Sequence, residues 1–553
     1  MAVQLGSVSF DEDVVIKQLK IDFKDDWFPD PIGYSDFISA GLLPSIIRDN
    51  FQRNHGEYNP AKALLLNVPK SNFTLRYALE TSFTDRAIYH SLAMHLLRFY
   101  DPVISQWVFS HRSGSRENGG RSDPKYVFRN GIQAWSDFLG CVQSAARPGT
   151  VLLSTDLANY FENISLTKLK EIMLELVPAL SADANEKAQI RQLVEQLFGY
   201  LTSWSFNGDR GLPQNRDASS FLANIYMRSV DQVMLERGYD YFRYMDDIKI
   251  VCSSEAAAKL ALKELVLALR PLGQVVNGGK TAIVPSDDAD AMRKCLDMPS
   301  IEMKRIDAAW SSKSLALISR TFVPLKRLTL DVLRHKNFNS REFRFCISRL
   351  ETLGRCSEFK VPEAYFDDIT PLVIDGLDSS PVSTDQICRY LRVVHISDDD
   401  YATLISHLSD GERAIYNWKN YRLWVLLTQR QYRSDQLIAR AKQVVLERGD
   451  DPTRAGASLY LGAFGDISDR ELIATKFSEL ESFLGQRNAV IAVQELHFRP
   501  APNKNVSIAT HVRDHLREDL KGTYRALNRG GVYFEELEPV SITRFVDQER
   551  DYD

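Results

Sequence analysis

Two adjacent aspartates, Asp246 and Asp247, sit in YFRYMDDIKIVC with apolar, β-prone residues on both sides. Carboxylates held beside apolar strands are costly unless cations or hydrogen bonds compensate. The flanks YFRY and IKIV read as two strand-like arms meeting at a turn. Taken alone, a hairpin that turns DD to solvent at its tip would explain the stretch. Upstream, however, Asp156 ends the apolar strand VLLST and leads into LANYF, a second strand-end carboxylate with an aromatic, Phe161, shortly after it. Between the two lies GLPQNRDASSFLANIYM, where Gly211 and Pro213 mark a turn opening into a helix with Ser220 and Asn224 on one face. The order is strand and Asp, Gly-Pro turn and helix, strand and Asp-Asp.

The elements that must position these groups follow from periodicity. VLLSTDL and YDYFRYMDDIKIVCS read as strands, while NEKAQIRQLVEQLFGYLTSW and EAAAKLALKELVLALRPLG carry the spacing of amphipathic helices, so an α/β core is expected over the first 300 residues. After about residue 310 the pattern is nearly all helical, with capping-box spacing at Ser383/Gln386 and Ser468/Glu471, and stacked antiparallel helices of a solenoid-like array are the expected packing. Within that array Trp418, Tyr421, Trp424 and Tyr460 either pack a core or offer faces on which bases could stack. The expected division is an N-terminal segment at 1–60, mixed α/β parts at 61–150 and 151–300, and an α-helical repeat domain at 301–553.

With 553 residues, 44% of them hydrophobic and 25% charged, the composition is that of ordinary globular protein. No apolar run approaches the roughly 20 residues that span a bilayer, and the start MAVQLGSVSFDEDVV lacks the order of a signal peptide, so a cytoplasmic protein with no membrane partner is expected. The six cysteines, with no C-x-x-C pair, indicate neither a zinc site nor a disulfide framework. A net charge of −5 confines any contact with nucleic-acid phosphates to local patches. One such patch is the Gly/Ser-rich loop 111–130, where Arg112, Arg116, Arg121, Lys125 and Arg129 outnumber Glu117 and Asp123; a solvated surface loop is its commoner explanation.

The three-part constellation resembles the palm of a reverse transcriptase, with motif A at Asp156–Phe161, motif B at Gly211–Asn224 and motif C, YMDD, at Tyr244–Asp247. The resemblance covers about residues 60 to 285; NFTLRYALETSFTDRAIYHSL and the HR of VFSHRSG look like fingers, and VVNGGKT like motif D. It implies a right-hand polymerase fold and nucleotidyl transfer, in which two Mg²⁺ ions about 4 Å apart, with Mn²⁺ as an alternative, stabilise entering and leaving oxygens. By resemblance Asp156 and Asp246 bridge the ions, Asp247 is accessory, and the carbonyl of Leu157 completes a shell. Phe161 matches the aromatic beneath the nucleotide sugar that selects dNTPs. Gln214 matches the contact to the incoming nucleotide, Lys280 a charge that neutralises or protonates pyrophosphate, and Arg76 and Arg112 grips on the triphosphate. Core packing for Phe161, a solvated charge for Lys280 and surface pairing for the arginines are the competing readings.

Two departures stand out: Asn215 replaces the glycine usual after the motif B glutamine, and no primer-grip hairpin or basic thumb is recognisable after Lys280. A reverse transcriptase palm followed by a long helical domain resembles the bacterial abortive-infection and defence-associated reverse transcriptases. That resemblance implies antiphage defence, homo-oligomeric assembly, and protein-primed DNA synthesis with little need of a template. The single-stranded product would then be covalently attached. Tyr34 and Tyr58, in Gly-, Pro- or Asn-flanked stretches, are the expected priming hydroxyls. Two alternatives stay open: an RNA-templated retron-like or group II intron-like enzyme, and an inert helical scaffold that binds nucleic acid or protein.

Overall fold

The computed structural model describes residues 2–5, 8–23, 26–39, 43–54, 57–114, 127–447, 452–497, 504–527 and 531–543. Arg116, Arg121 and Lys125 of the basic loop therefore lie outside the described residues. The strands are β1 (Ala2–Leu5), β2 (Val8–Asp11), β3 (Leu64–Pro69), β4 (Leu75–Glu80), β5 (Val151–Thr155), β6 (Asp240–Tyr244), β7 (Asp247–Cys252) and β8 (Ala282–Pro285). The first two pair with each other, as do β3 and β4, and the rest form a sheet of order β6-β7-β5-β8, antiparallel throughout. The chain divides into two compact units: Met1–Asp26, Ile47–Leu66 and Tyr77–Met298 in the first, Trp27–Ile46, Asn67–Arg76 and Pro299–Asp553 in the second.

In the first unit the four-stranded sheet is covered on both faces, which is why β5 and β7 read as near-continuous apolar runs rather than alternating ones. One face presents Leu152, Phe242 and Val251 to a core with Phe109, Phe138, Val142, Met292 and Leu296. The helix Glu255–Leu269 packs on β5 and β7 through the row Ala258, Ala261 and Leu265. The helix Ala184–Ser203 starts at Asp183 with a reciprocal capping box to Glu186.

Beyond Pro285 the described residues form helices and turns. Helices Asn417–Gln429, Pro452–Phe464 and Phe483–Ala492 pack in succession, and Trp418, Tyr421, Trp424 and Tyr460 are at most 3% exposed, so they fill this core and are withdrawn from stacking on product. The capping expectations are corrected too. Ser383 begins its helix with its hydroxyl bonded to the Phe338 carbonyl rather than to its own first turn, and the later helix starts at Asp466, boxed with Asp469. Residues 301–336 carry eight Lys or Arg against three Asp or Glu, and Lys304, Arg305, Lys313, Arg320 and Arg327 are exposed.

Close helix approach depends on Gly462, where a Cβ would come within 2.5 Å of the Ala492 backbone. Gly462→Ala should cost about 1–3 kcal/mol through overpacking. Gly199→Ala, in an exposed helix interior with open space around it, should instead gain up to about 1 kcal/mol. Urea midpoints of the two variants moving in the same direction would contradict this packing.

Candidate active site

The register of β5 on β7 puts Thr155 opposite Ile248, so the residues that end one strand and precede the other, Asp156 and Asp246, are neighbours. Backbone bonds fix the junction: Leu157 N–H donates to the Asp246 carbonyl at 3.2 Å, Asn277 N–H to the Asp156 carbonyl at 2.7 Å, and Ala158 N–H to the Val275 carbonyl at 2.8 Å. Met245 and Asp246 form a two-residue hairpin turn between β6 and β7, and Met245 takes φ +54°, a left-handed conformation that glycine adopts freely and most L-residues avoid.

Burial and the facing Asp156 carboxylate push Asp246 up to about 6. Asp247, partly exposed, turns to Lys249 Nζ at 2.6 Å, and that ammonium also donates to Ser154 Oγ at 2.7 Å. Lys280 Nζ lies 2.5 Å from Asp156 Oδ2; burial opposes its charge, but the bond to Asp156 and the carboxylates of Asp246 and Asp247 raise it above its ordinary value. The chain thus places Asp156, Asp246, Asp247 and Lys280 in one cluster.

Among the described residues no group of three or more His, Cys, Asp or Glu side chains is arranged to hold a metal. A divalent cation nevertheless fits the donors present. Asp156 Oδ1 is buried without a hydrogen-bond partner, and burial together with the Asp156 charge favours the protonated form of Asp246 in the absence of a cation. Mg²⁺ keeps waters and takes substrate phosphates, so it needs few protein carboxylates.

Motif B approaches through its backbone: Leu212 N–H donates to the Phe161 carbonyl at 3.2 Å and Gly211 N–H to the Ile164 carbonyl at 3.0 Å. Gly211 is required here, with φ +93° and Phe206 within 2.5 Å of where a Cβ would stand. Phe161 and Gln214 are half-buried beside these contacts. Asn215 has φ +53°, so the conformation that glycine would supply is kept by the residue that tolerates it best after glycine.

Of the two arginines expected to grip a triphosphate, Arg112 is committed elsewhere. Arg112 is 3% exposed, and its five N–H groups go to Asp101 Oδ1 and to the carbonyls of Asp101, Ile104, Ser105 and Val108, so it ties a loop together. Arg76 belongs to the second unit, with its guanidinium 5.8 Å from the Trp27 ring centroid. Arg129 pairs with Asp137 at 2.8 Å. Sequence reasoning passed over Arg243 and Lys249, whose signal was a cation inside an otherwise apolar run, and Asp231 and Arg216, which carried no such signal.

Residues 68–308 match the family model of the reverse transcriptase, an RNA-dependent DNA polymerase. A search of curated proteins returns no significant match. The chain carries a reverse transcriptase domain and is a nucleotidyltransferase of the RNA-directed DNA polymerase type, a class that uses divalent metal ions and acts on nucleotides with a nucleic-acid template or product. No described helix is long and apolar enough to cross a membrane.

Because the folded protein holds Asp246 above its unfolded value, ionising this group destabilises the metal-free fold. Asp246→Asn in EDTA should therefore raise unfolding free energy by up to about 3 kcal/mol above pH 7. The gain should shrink as pH falls through 6 and nearly vanish by about pH 4, where the native carboxyl is already protonated. A gain independent of pH in denaturant titrations would show that ionisation of Asp246 is not its source.

Proposed function

We propose that the protein is a DNA polymerase of reverse transcriptase type that adds dNTPs at the Asp156/Asp246 pair, with protein-primed, template-independent synthesis serving antiphage defence in a bacterial cytoplasm. The observation that carries the polymerase reading is the paired strand-end carboxylates, one with an orphaned buried oxygen, joined by Lys280. When bound there, Mg²⁺ would supply charge for the attacking and leaving oxygens. Asp156 and Asp246 would hold it, with Asp247 accessory and the Leu157 carbonyl close by. Phe161 would exclude a 2′-hydroxyl, Gln214 would orient the nucleotide, and Lys280 would neutralise departing pyrophosphate.

Protein priming needs a hydroxyl on a segment free to move, and neither expected tyrosine qualifies. Tyr34 is 4% exposed and packs against Phe37, Phe483 and the Arg487 guanidinium; Tyr58 is 4% exposed and donates to Asp85 at 2.9 Å. Among the described tyrosines only Tyr77, 46% exposed, is largely open; its N–H approaches the side chain of Glu162, next to Phe161, and it becomes the residue to examine. RNA-templated synthesis is a second reading, favoured by the matched family and by the left-handed backbone retained at Asn215.

Full-length protein incubated with Mg²⁺ and labelled dNTPs, with and without RNA, separates these readings. Incorporation without RNA, lost in Asp156→Ala and Asp246→Ala, with label that stays on denatured protein and maps to a tyrosine or serine, is the expected result. Strict dependence on RNA would replace the untemplated reading, product that separates cleanly would remove protein priming, and no incorporation under any condition would leave the scaffold.

A further inference from the structure

Two of the left-handed residues at the site, Met245 beside Asp246 and Asn215 beside Gln214, have their carbonyl oxygens bound by a neighbouring buried arginine. Arg243 is fully buried; its Nη1 donates to the Met245 carbonyl at 2.9 Å and to Asn224 Oδ1 at 2.9 Å, while Nε and Nη2 grip the two oxygens of Asp231, each at 2.7 Å. Asn224 in turn donates to the Ser110 carbonyl at 2.8 Å, and Ser110 Oγ accepts from Met245 N–H at 3.0 Å. Arg216, 3% exposed, donates through Nη1 to the Asn215 carbonyl at 2.7 Å and to Asp26 at 2.8 Å. It also pairs with Asp22 at 3.4 Å and Glu80 at 3.5 Å. Asp22 and Asp26 precede the residues matched by the family model. A left-handed conformation at a non-glycine residue costs about 1–3 kcal/mol and persists where the surroundings over-determine it.

We propose that Arg243 and Arg216 are positioning residues: each, anchored on buried carboxylates, holds one left-handed carbonyl and so fixes the turn that presents a working side chain, Asp246 in one case and Gln214 in the other. The N-terminal acids Asp22 and Asp26 thereby belong to the scaffold of the site. A bidentate guanidinium is required because it must span an acid and a carbonyl in one plane, which a lysine ammonium does not do. The proposal rests on the reading of Asp246 and Gln214 given above.

The test is steady-state dNTP incorporation by the full chain, comparing each arginine substitution in the native background and in one where glycine relieves the turn. Arg243→Met is expected to lower kcat on the order of a hundredfold with the dNTP KM nearly unchanged, and Arg216→Met to raise KM on the order of tenfold or more, since small misplacements of reacting groups have effects of this size. In the Met245→Gly and Asn215→Gly backgrounds the respective losses should shrink several-fold, because glycine adopts φ > 0 without strain. The melting temperature should stay depressed in both backgrounds, since the lost ion pairs are not restored. Losses identical in both backgrounds, or activity that tracks melting temperature, would overturn the proposal. Should Arg243→Met fail to fold, Asp231→Leu/Arg243→Met removes both buried charges and serves the same comparison. Asp246→Ala keeps the two ideas apart: wild-type incorporation by it sinks the catalytic reading, whereas an inactive Asp246→Ala with unrescued arginine variants sinks the clamp alone.

Discussion

Antiparallel pairing of β5 with β7 brings the carboxylates of Asp156 and Asp246 together at the ends of the two central strands of an apolar sheet, and the rest of the site answers that repulsion. Two like charges at close range in a poorly solvated place cannot both ionise cheaply. Lys280 takes one oxygen of Asp156, Lys249 draws Asp247 aside, and Asp246 is left with a weakened acidity. A divalent cation held there would relieve the same repulsion and satisfy the orphaned Asp156 oxygen, so on the proposed reading stability is given up in the metal-free protein for cation binding.

Buried arginine–carboxylate networks recur as the device that fixes irregular backbone. In the first unit Arg243 on Asp231 and Arg216 on Asp22, Asp26 and Glu80 flank the site, and Arg112 gathers a loop through carbonyls. In the second unit Arg487 grips Asp30 and Asp36, with Thr523 bonded to Asp36 and the Tyr34 ring beneath the guanidinium, 4.7 Å from it. Desolvating such groups is repaid only when nearly every donor is used, and the distinctive result is geometric specificity rather than net stability. A hydrophobic core could not hold the carbonyl of a left-handed residue.

The clustering of Asp156, Asp246, Asp247 and Lys280 was legible because its signals are local. A carboxylate at the end of VLLST, a Gly-Pro turn and a hairpin at MDD are each set by adjacent residues, and the antiparallel sheet and long helices follow from periodicity. The misplaced residues share a different property: their environment comes from far along the chain. Tyr34 and Tyr58 sit in turn-rich sequence that reads as exposed, yet Phe483 and Asp85 cover them. Arg112 reads as a free cation in a basic loop until Asp101 and four carbonyls are seen around it. Likewise the aromatic residues of 418–460 could not be assigned to core or surface until the helices around them were in place.

The central claim is that Asp156 and Asp246 together create a divalent-cation site completed by a nucleotide. Binding of Mn²⁺ to the full chain, followed by electron paramagnetic resonance with and without a dNTP, tests it most directly. The account predicts binding at neutral pH that tightens when dNTP is present and that is lost in both Asp156→Asn and Asp246→Asn. Equal Mn²⁺ affinity and stoichiometry in the wild type and these two variants would contradict it.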